Sequence, residues 1–182
     1  MNDNETDILL MRKIAAGDMT AARMLVLKWQ KPLINFFYRS LNNVHSAEDL
    51  AQQTFVNLLR NADKYTPEAS FPAYLFHIAH NILISDFRKR SRRNAEPTDP
   101  AELPAVADDA DPVNQNELKK SFAEAVEKLP ENHRTAILLF CQQGLSYTEI
   151  AETMNTSVSN VKNWVHRARQ ALRNSLSAFL EH

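Results

Sequence analysis

Two glycines and one cysteine are all that the 182 residues contain of either type, and each scarcity excludes something. A lone Cys141 cannot form an internal disulfide, so no disulfide framework holds the fold. It sits at the end of the apolar run AILLFC, which predicts a buried thiol. No stretch alternates apolar and polar residues long enough to make a convincing strand. No glycine-rich phosphate loop is present, and no nucleophile, base and orienting group occur together. Nothing therefore points to an enzyme, and no cofactor is expected. His77 and His80 lie three apart on one helical stretch, but no Cys or carboxylate completes a metal-ligand set at recognisable spacing. No apolar run approaches a membrane span. The opening MNDNETD is acidic where a secretory leader would be basic and then apolar. The expectation is a soluble, cytoplasmic protein.

Two further absences are local. Residues 95–117 hold no Lys or Arg but seven acids, Glu96, Asp99, Glu102, Asp108, Asp109, Asp111 and Glu117, and four prolines. Such a segment cannot sustain a helix or bury much apolar surface, so it reads as a flexible acidic linker. Outside it, 21 basic residues face 15 acidic ones, so the formal net charge of -1 conceals two basic modules. Conversely, no acidic residue stands between Thr153 and Leu180.

What is present is helical. Ala, Leu, Arg, Lys, Glu and Gln dominate, and 44% hydrophobic content suffices for compact cores. The fold class is all-α: two small helical domains, 1–94 and 117–182, joined by the linker 95–116. In the first, Ile8, Leu9, Leu10, Met11 and Ile14 open a helix that Gly17 closes. Asp18 caps the next, with Ala22, Leu25, Val26 and Trp29 inward, and Pro32 is expected to restart the chain into LINFFYRSL. Ser46 is expected to cap a third helix with Ala47, Leu50, Ala51, Thr54 and Leu58 on its buried face. A fourth runs from Phe71 or Pro72 to about Arg90. In the second domain, helices over 116–128 and 131–142 support a helix-turn-helix.

That last motif is GLSYTEIAETMNTSVSNVKNWVHRARQALR, Gly144 to Arg173. Ser146 and Glu149 form a capping-box signature. Asn155 suits the left-handed exit of the first helix, and Ser157 caps the second. Val158, Val161, Val165, Ala168 and Leu172 recur at helical spacing. The opposite face carries Ser159, Asn160, Lys162, Asn163, His166, Arg167 and Gln170. A basic, hydrogen-bonding helix of this kind is what major-groove reading requires. An ordinary amphipathic hairpin would share the stripe, but caps, turn spacing and charge together favour a recognition helix.

Upstream, FPAYLFHIAHNILISDF interleaves Phe71, Tyr74, Phe76, His77, His80, Asn81 and Phe87 with apolar positions and ends in the run Arg88, Lys89, Arg90, Arg92, Arg93. Rings beside a basic strip are what single-stranded nucleic acid needs. Leu75, Ile78, Ala79, Ile82 and Leu83 read as buried, leaving Tyr74, His77, His80 and Asn81 as outward candidates. Cations at a helix C-terminus are also favoured by the macrodipole whatever the protein does.

The series SAEDLAQQTFVNLLRN, FPAYLFHIAHNILISDFRKRSRR, acidic linker and LPENHRTAILLFCQQGLSYTEIAETMNTSVSNVKNWVHRARQAL resembles the bacterial sigma-70 family, specifically its extracytoplasmic-function (ECF) group. The likeness covers nearly the whole chain. It implies a region 2 module and a region 4 module, with core RNA polymerase (beta-prime and beta subunits), promoter DNA and an anti-sigma factor as partners. Asp49, Gln52, Gln53, Phe55, Val56 and Leu59 fall on the family's polymerase-docking motif. Tyr74, His77, His80, Asn81, Arg88, Lys89 and Arg90, with the loop Lys64 to Ser70, fall on the elements that melt the minus-10 element and hold an extruded base. Ser157, Ser159, Asn160, Lys162, Asn163, His166 and Arg167 fall on the minus-35 reading helix. Two positions depart from the pattern: Tyr74 stands where Trp is common, and Trp164 where Arg follows V-K-S. Two other readings stay open, a stand-alone helix-turn-helix regulator and a helical adaptor that binds no DNA.

Overall fold

The computed structural model describes residues 3–93 and 113–177, so most of the acidic linker lies outside the described residues. Among the described residues there are eight α-helices and no strand: α1 (Asp3–Ala15), α2 (Met19–Leu41), α3 (Val44–Arg60), α4 (Phe71–Arg93), α5 (Val113–Glu127), α6 (Glu131–Gln143), α7 (Tyr147–Thr153) and α8 (Val158–Ser175). A 3-10 turn, Ala62–Lys64, follows α3.

Local chemistry accounts for most boundaries. Gly17 exits α1 at φ +90°, where a Cβ would be strained. Asp18 then caps α2, its Oδ1 accepting from the amides of Thr20 at 2.8 Å and Ala21 at 3.1 Å. The expected break at Pro32 does not occur, because α2 runs through it. A proline inside a helix costs about 3 kcal/mol. Leu33, Phe36 and Phe37 just beyond it are fully buried, and at about 1.5–3 kcal/mol each their burial outweighs that cost. The cap of α3 also differs from expectation. Asn42 turns left-handed at φ 51°, and Asn43 then becomes the N-cap, accepting from the Ser46 amide at 2.9 Å. Ser46 is thus the donor in that cap. The predicted inner face of α3, Ala47, Leu50, Ala51, Thr54 and Leu58, is buried in full.

The centre of the α1–α4 group is aromatic. Trp29 meets Phe71 and Phe76 at ring separations of 5.8 and 6.2 Å, and Phe36 meets Phe76 at 5.3 Å. Asn4 on α1 accepts from the Phe71 amide at 2.7 Å and so anchors the start of α4.

In the α5–α8 group the caps match the sequence reading. Gly144 ends α6 at φ 67°, and the Leu145 amide reaches back to the Leu139 carbonyl at 3.3 Å. Ser146 and Glu149 satisfy each other's amides, at 2.9 and 3.2 Å. Asn155 makes the left-handed exit at φ 49°, and Ser157 accepts from the Asn160 amide at 3.2 Å. Cys141 corrects its expectation: it is exposed. The apolar run turns Ala136 to Leu139 inward and leaves its last residue on the outer face. The two groups pack together, α7 against α4 and α5 and α6 against α2, and share one continuous apolar core.

Candidate nucleic-acid and polymerase interfaces

On α8, burial of Val161, Val165 and Ala168 fixes which side faces out. Ser157, Ser159, Asn160, Lys162, Asn163, His166 and Arg167 are all exposed, so the structure places the expected reading residues on one open surface. Two have local duties: the Ser157 hydroxyl is the helix cap, and Asn160 Nδ2 donates to Thr156 Oγ1 at 3.0 Å. Trp164 is half-buried and packs on the core, which gives this departure from the family pattern a packing role. Arg169, which the sequence reading passed over, lays its guanidinium over Phe140 at 4.7 Å, and Phe140 stacks on Tyr147 at 5.0 Å. Partial burial and the nearby charge of Arg167 hold the imidazole of His133 below its ordinary pKa.

Along α4 the expected residues separate. Asn57, Asn61, Tyr74, Ile78, Asn81, Ile82 and Ser85 line an open groove between α3 and α4 with a volume of about 440 Å³. Tyr74 and Asn81 are therefore brought together. Asn57 and Asn61 join them unforeseen, their only sequence signal being a spacing of one helical turn at the end of α3, where Asn61 is the C-cap. Ile78 and Ile82, expected in the core, are half-buried walls of this groove. Tyr65 lies against Tyr74 at 4.8 Å. Burial raises the pKa of both phenols, and the Tyr65 hydroxyl has no hydrogen-bond partner among the described residues.

His80 corrects the sequence reading. It is 7% exposed, its Nδ1 finds no partner among the described residues, and burial, followed by the charge of His77, lowers its pKa to about 4. It is a core residue, carried inward beside Phe76 and Ala79. His77 is half-buried between two partners. Its Nδ1 lies 3.1 Å from the Thr153 carbonyl, and its Nε2 lies 3.1 Å from Asn81 Nδ2. A carbonyl only accepts, so Nδ1 carries the proton and Nε2 accepts from the Asn81 amide. In the basic run Arg88, Lys89 and Arg92 are exposed, whereas Arg90 is tied to Asp86 at 2.5 Å. The side chain of Arg93 lies outside the described residues.

On α3, Asp49, Gln52, Gln53 and Val56 are exposed at spacings of three and four, a single face. Val56 keeps 51% of its surface in solvent, one of five exposed large apolar side chains among the described residues. Leu59 is half-buried. Phe55 departs from its expected place in this face, being 8% exposed and part of the core.

Comparison with known proteins supplies the frame for these surfaces. Residues 25–93 match the family model for Sigma-70 region 2, and residues 119–172 match that for Sigma-70, region 4. The chain is 34% identical over 176 residues to the ECF RNA polymerase sigma factor SigW of Bacillus subtilis (strain 168), covering 91% of this chain and 94% of that one. It is 28% identical to the RNA polymerase sigma-H factor of Pseudomonas aeruginosa, covering 99% and 98%. Among solved structures it is similar to CnrH in complex with the cytosolic domain of CnrY, with a TM-score of 0.70, 27% identity and coverage of 95% and 98%. It is also similar to the sigma factor RpoE in complex with the anti-sigma factor NepR from Bartonella quintana, with a TM-score of 0.69, 26% identity and coverage of 85% and 96%. Region 2 falls on the helices that form the groove, region 4 on those that carry the capped basic helix, and a close relative spans both: the chain belongs to the sigma-70 family of transcription initiation factors, in its extracytoplasmic-function group.

Proposed function

We propose that this chain directs promoter-specific initiation with a division of labour between its two modules, 1–94 and 117–182. The exposed face of α3, Asp49, Gln52, Gln53 and Val56, docks on core polymerase, where the apolar Val56 would lose its contact with water. The α3–α4 groove receives an unpaired base of the minus-10 element. Tyr74 offers a ring for stacking, and the amide of Asn81 offers both a donor and an acceptor to a base edge. These contacts replace those lost on unpairing, at a cost of a few kcal/mol per base. Arg88, Lys89 and Arg92 follow the phosphates. α8 enters the minus-35 major groove, with Lys162 and Arg167 as phosphate contacts and Asn160, Asn163 and His166 facing base edges. The observation that carries this reading is the capped, acid-free outer face of α8, exposed along its length.

The protein acts in the cytoplasm, with no chemistry of its own. Among the described residues no helix is long and apolar enough to cross a membrane. Control by an anti-sigma factor is part of the proposal, supported by the likeness to RpoE in complex with the anti-sigma factor NepR.

Pull-down with core polymerase followed by run-off transcription from candidate promoters tests the whole reading. Retention on core and core-dependent transcripts are expected. A chain that fails to bind core but shifts duplex DNA alone would instead be a stand-alone regulator.

A further inference from the structure

Helix α1 lies ahead of the residues that match region 2, 25–93, yet it holds both ends of the segment that joins α3 to α4. At the near end α1 packs on the 3-10 turn Ala62–Lys64. The charges of Asp7 and Arg12, both on α1, reach the hydroxyl of Tyr65, the residue that follows that turn. At the far end Asn4 Oδ1 accepts from the Phe71 amide at 2.7 Å, across 67 positions of sequence.

The contact at the far end is a helix cap supplied by another element. The first amides of a helix have no partner inside it, and a side-chain oxygen that accepts from one of them fixes the first turn. In α4 the Ser70 hydroxyl serves the Ala73 amide at a long 3.4 Å, so the shorter bond, to Phe71, comes from α1. That turn closes where the Tyr74 amide donates to the Ser70 carbonyl at 3.1 Å. The direction in which Tyr74 leaves the turn is therefore set in part by Asn4. Rings carry the same placement. Phe71, fully buried, meets Trp29 at 5.8 Å and Tyr65 at 6.3 Å, and Tyr65 meets Tyr74 at 4.8 Å. Trp29 is itself tied to α1, its Nε1 donating to Asp7 at 3.2 Å.

The geometry points to Asn4 as a positioning residue for promoter opening: through the Phe71 amide, α1 sets the loop 64–70 and the Tyr74 ring in the pose that receives the extruded base. The inference rests on the groove reading of the minus-10 strand proposed above. Asn4 acts through the main chain, so what matters at this position is an oxygen that accepts. Asp supplies the same oxygen with a charge that a helix N-terminus favours. Ala supplies none.

Holoenzyme assembled from core polymerase and the full chain, as parent, Asn4→Ala, Asn4→Asp or Tyr74→Ala, tests the role. Each is titrated with a fluorescent single-stranded oligonucleotide, the non-template minus-10 strand of a promoter that the parent transcribes, and its rate of open-complex formation on the duplex promoter is followed. Asn4→Ala should bind the oligonucleotide about fivefold more weakly, the size of one lost cap, and open the duplex more slowly by a similar factor. Its binding to core and to a minus-35 duplex should equal the parent's, and Asn4→Asp should match the parent in every assay. An Asn4→Ala holoenzyme that matches the parent overturns the positioning role. So does one that loses core, minus-35 and minus-10 binding alike, which is general destabilisation, and so does an Asn4→Asp chain as impaired as Asn4→Ala. Tyr74→Ala separates the inference from the reading beneath it: if that variant binds the oligonucleotide as the parent does, the groove is not the base site and the inference falls with it.

Discussion

Lys28 Nζ lies 2.9 Å from both carboxylate oxygens of Asp7, whose side chain is closed to solvent while the lysine retains a third of its exposure. Trp29 Nε1 adds a third donor at 3.2 Å. The asymmetry of burial predicts an asymmetry of cost. Lys28→Met strands an anion in the core with one neutral donor, a loss of about 3–5 kcal/mol. Asp7→Asn keeps the bond to Trp29 and leaves an ammonium that can turn to water, so about 1–2 kcal/mol should suffice. Urea denaturation of both variants measures the order; equal losses would show that Lys28 does not compensate the buried charge.

His80 makes stability depend on acid. Its folded pKa of about 4 lies below the ordinary value of 6.5, so between those limits the unfolded chain binds a proton that the folded chain refuses. Stability is complete above pH 6.5 and falls as pH drops toward 4, by at most about 1.4 kcal/mol per unit. His133, also lowered, contributes with the same sign. Denaturation midpoints measured across this window should show a shallower slope for His80→Leu than for the parent. An unchanged slope would mean that the imidazole is solvated.

Much of this architecture was legible because it is written in neighbours along the chain. The Ser146 and Glu149 capping box, the Asp18 and Ser157 caps and the inner face of α3 need only a few consecutive residues, and each forms as the spacing predicts. One misreading is itself local, the cap of α3, which passes from Ser46 to Asn43; the others concern residues whose surroundings come from afar. Pro32 stays helical because Leu33, Phe36 and Phe37 are buried by other helices. His80 turns inward although a histidine beside Asn81 reads as a surface residue. Cys141 turns outward although its run is apolar. The packing of α7 on α4 has no local signature, since it joins residues about eighty positions apart.

Phe55 and Val56 are adjacent on α3 and should fail in opposite ways. Phe55 fills the core, so Phe55→Ala costs about 3–5 kcal/mol and loses polymerase binding only through unfolding. Val56 is half in solvent. Val56→Asp should leave the denaturation midpoint within about 0.5 kcal/mol of the parent while core polymerase binding drops at least about tenfold, since burying a carboxylate where a valine docks strips it of water. Pull-down and denaturation on the same preparations separate the two. A Val56→Asp chain that binds core normally would move the docking surface elsewhere.

Arg167 and Arg169 stand two positions apart on α8 and face different tasks. Arg167 is exposed on the outer face of α8, whereas Arg169 rests on Phe140, itself stacked on Tyr147 at the start of α7. Arg167→Ala should weaken promoter binding about equally for all sequences and lower the salt slope by roughly one unit, with stability unchanged. Arg169→Ala removes a cation from an aromatic face and should cost about 0.5–1 kcal/mol of stability. Asn163→Ala should act differently from both, relaxing the preference at one minus-35 position at a cost of about 1–3 kcal/mol while leaving the salt slope intact. Holoenzyme binding to a set of single-base promoter variants, repeated at several salt concentrations, resolves the three patterns. If Asn163→Ala instead lowered the salt slope without changing base preference, its amide would be a phosphate contact and the base-reading edge of α8 would have to lie along Asn160 and His166.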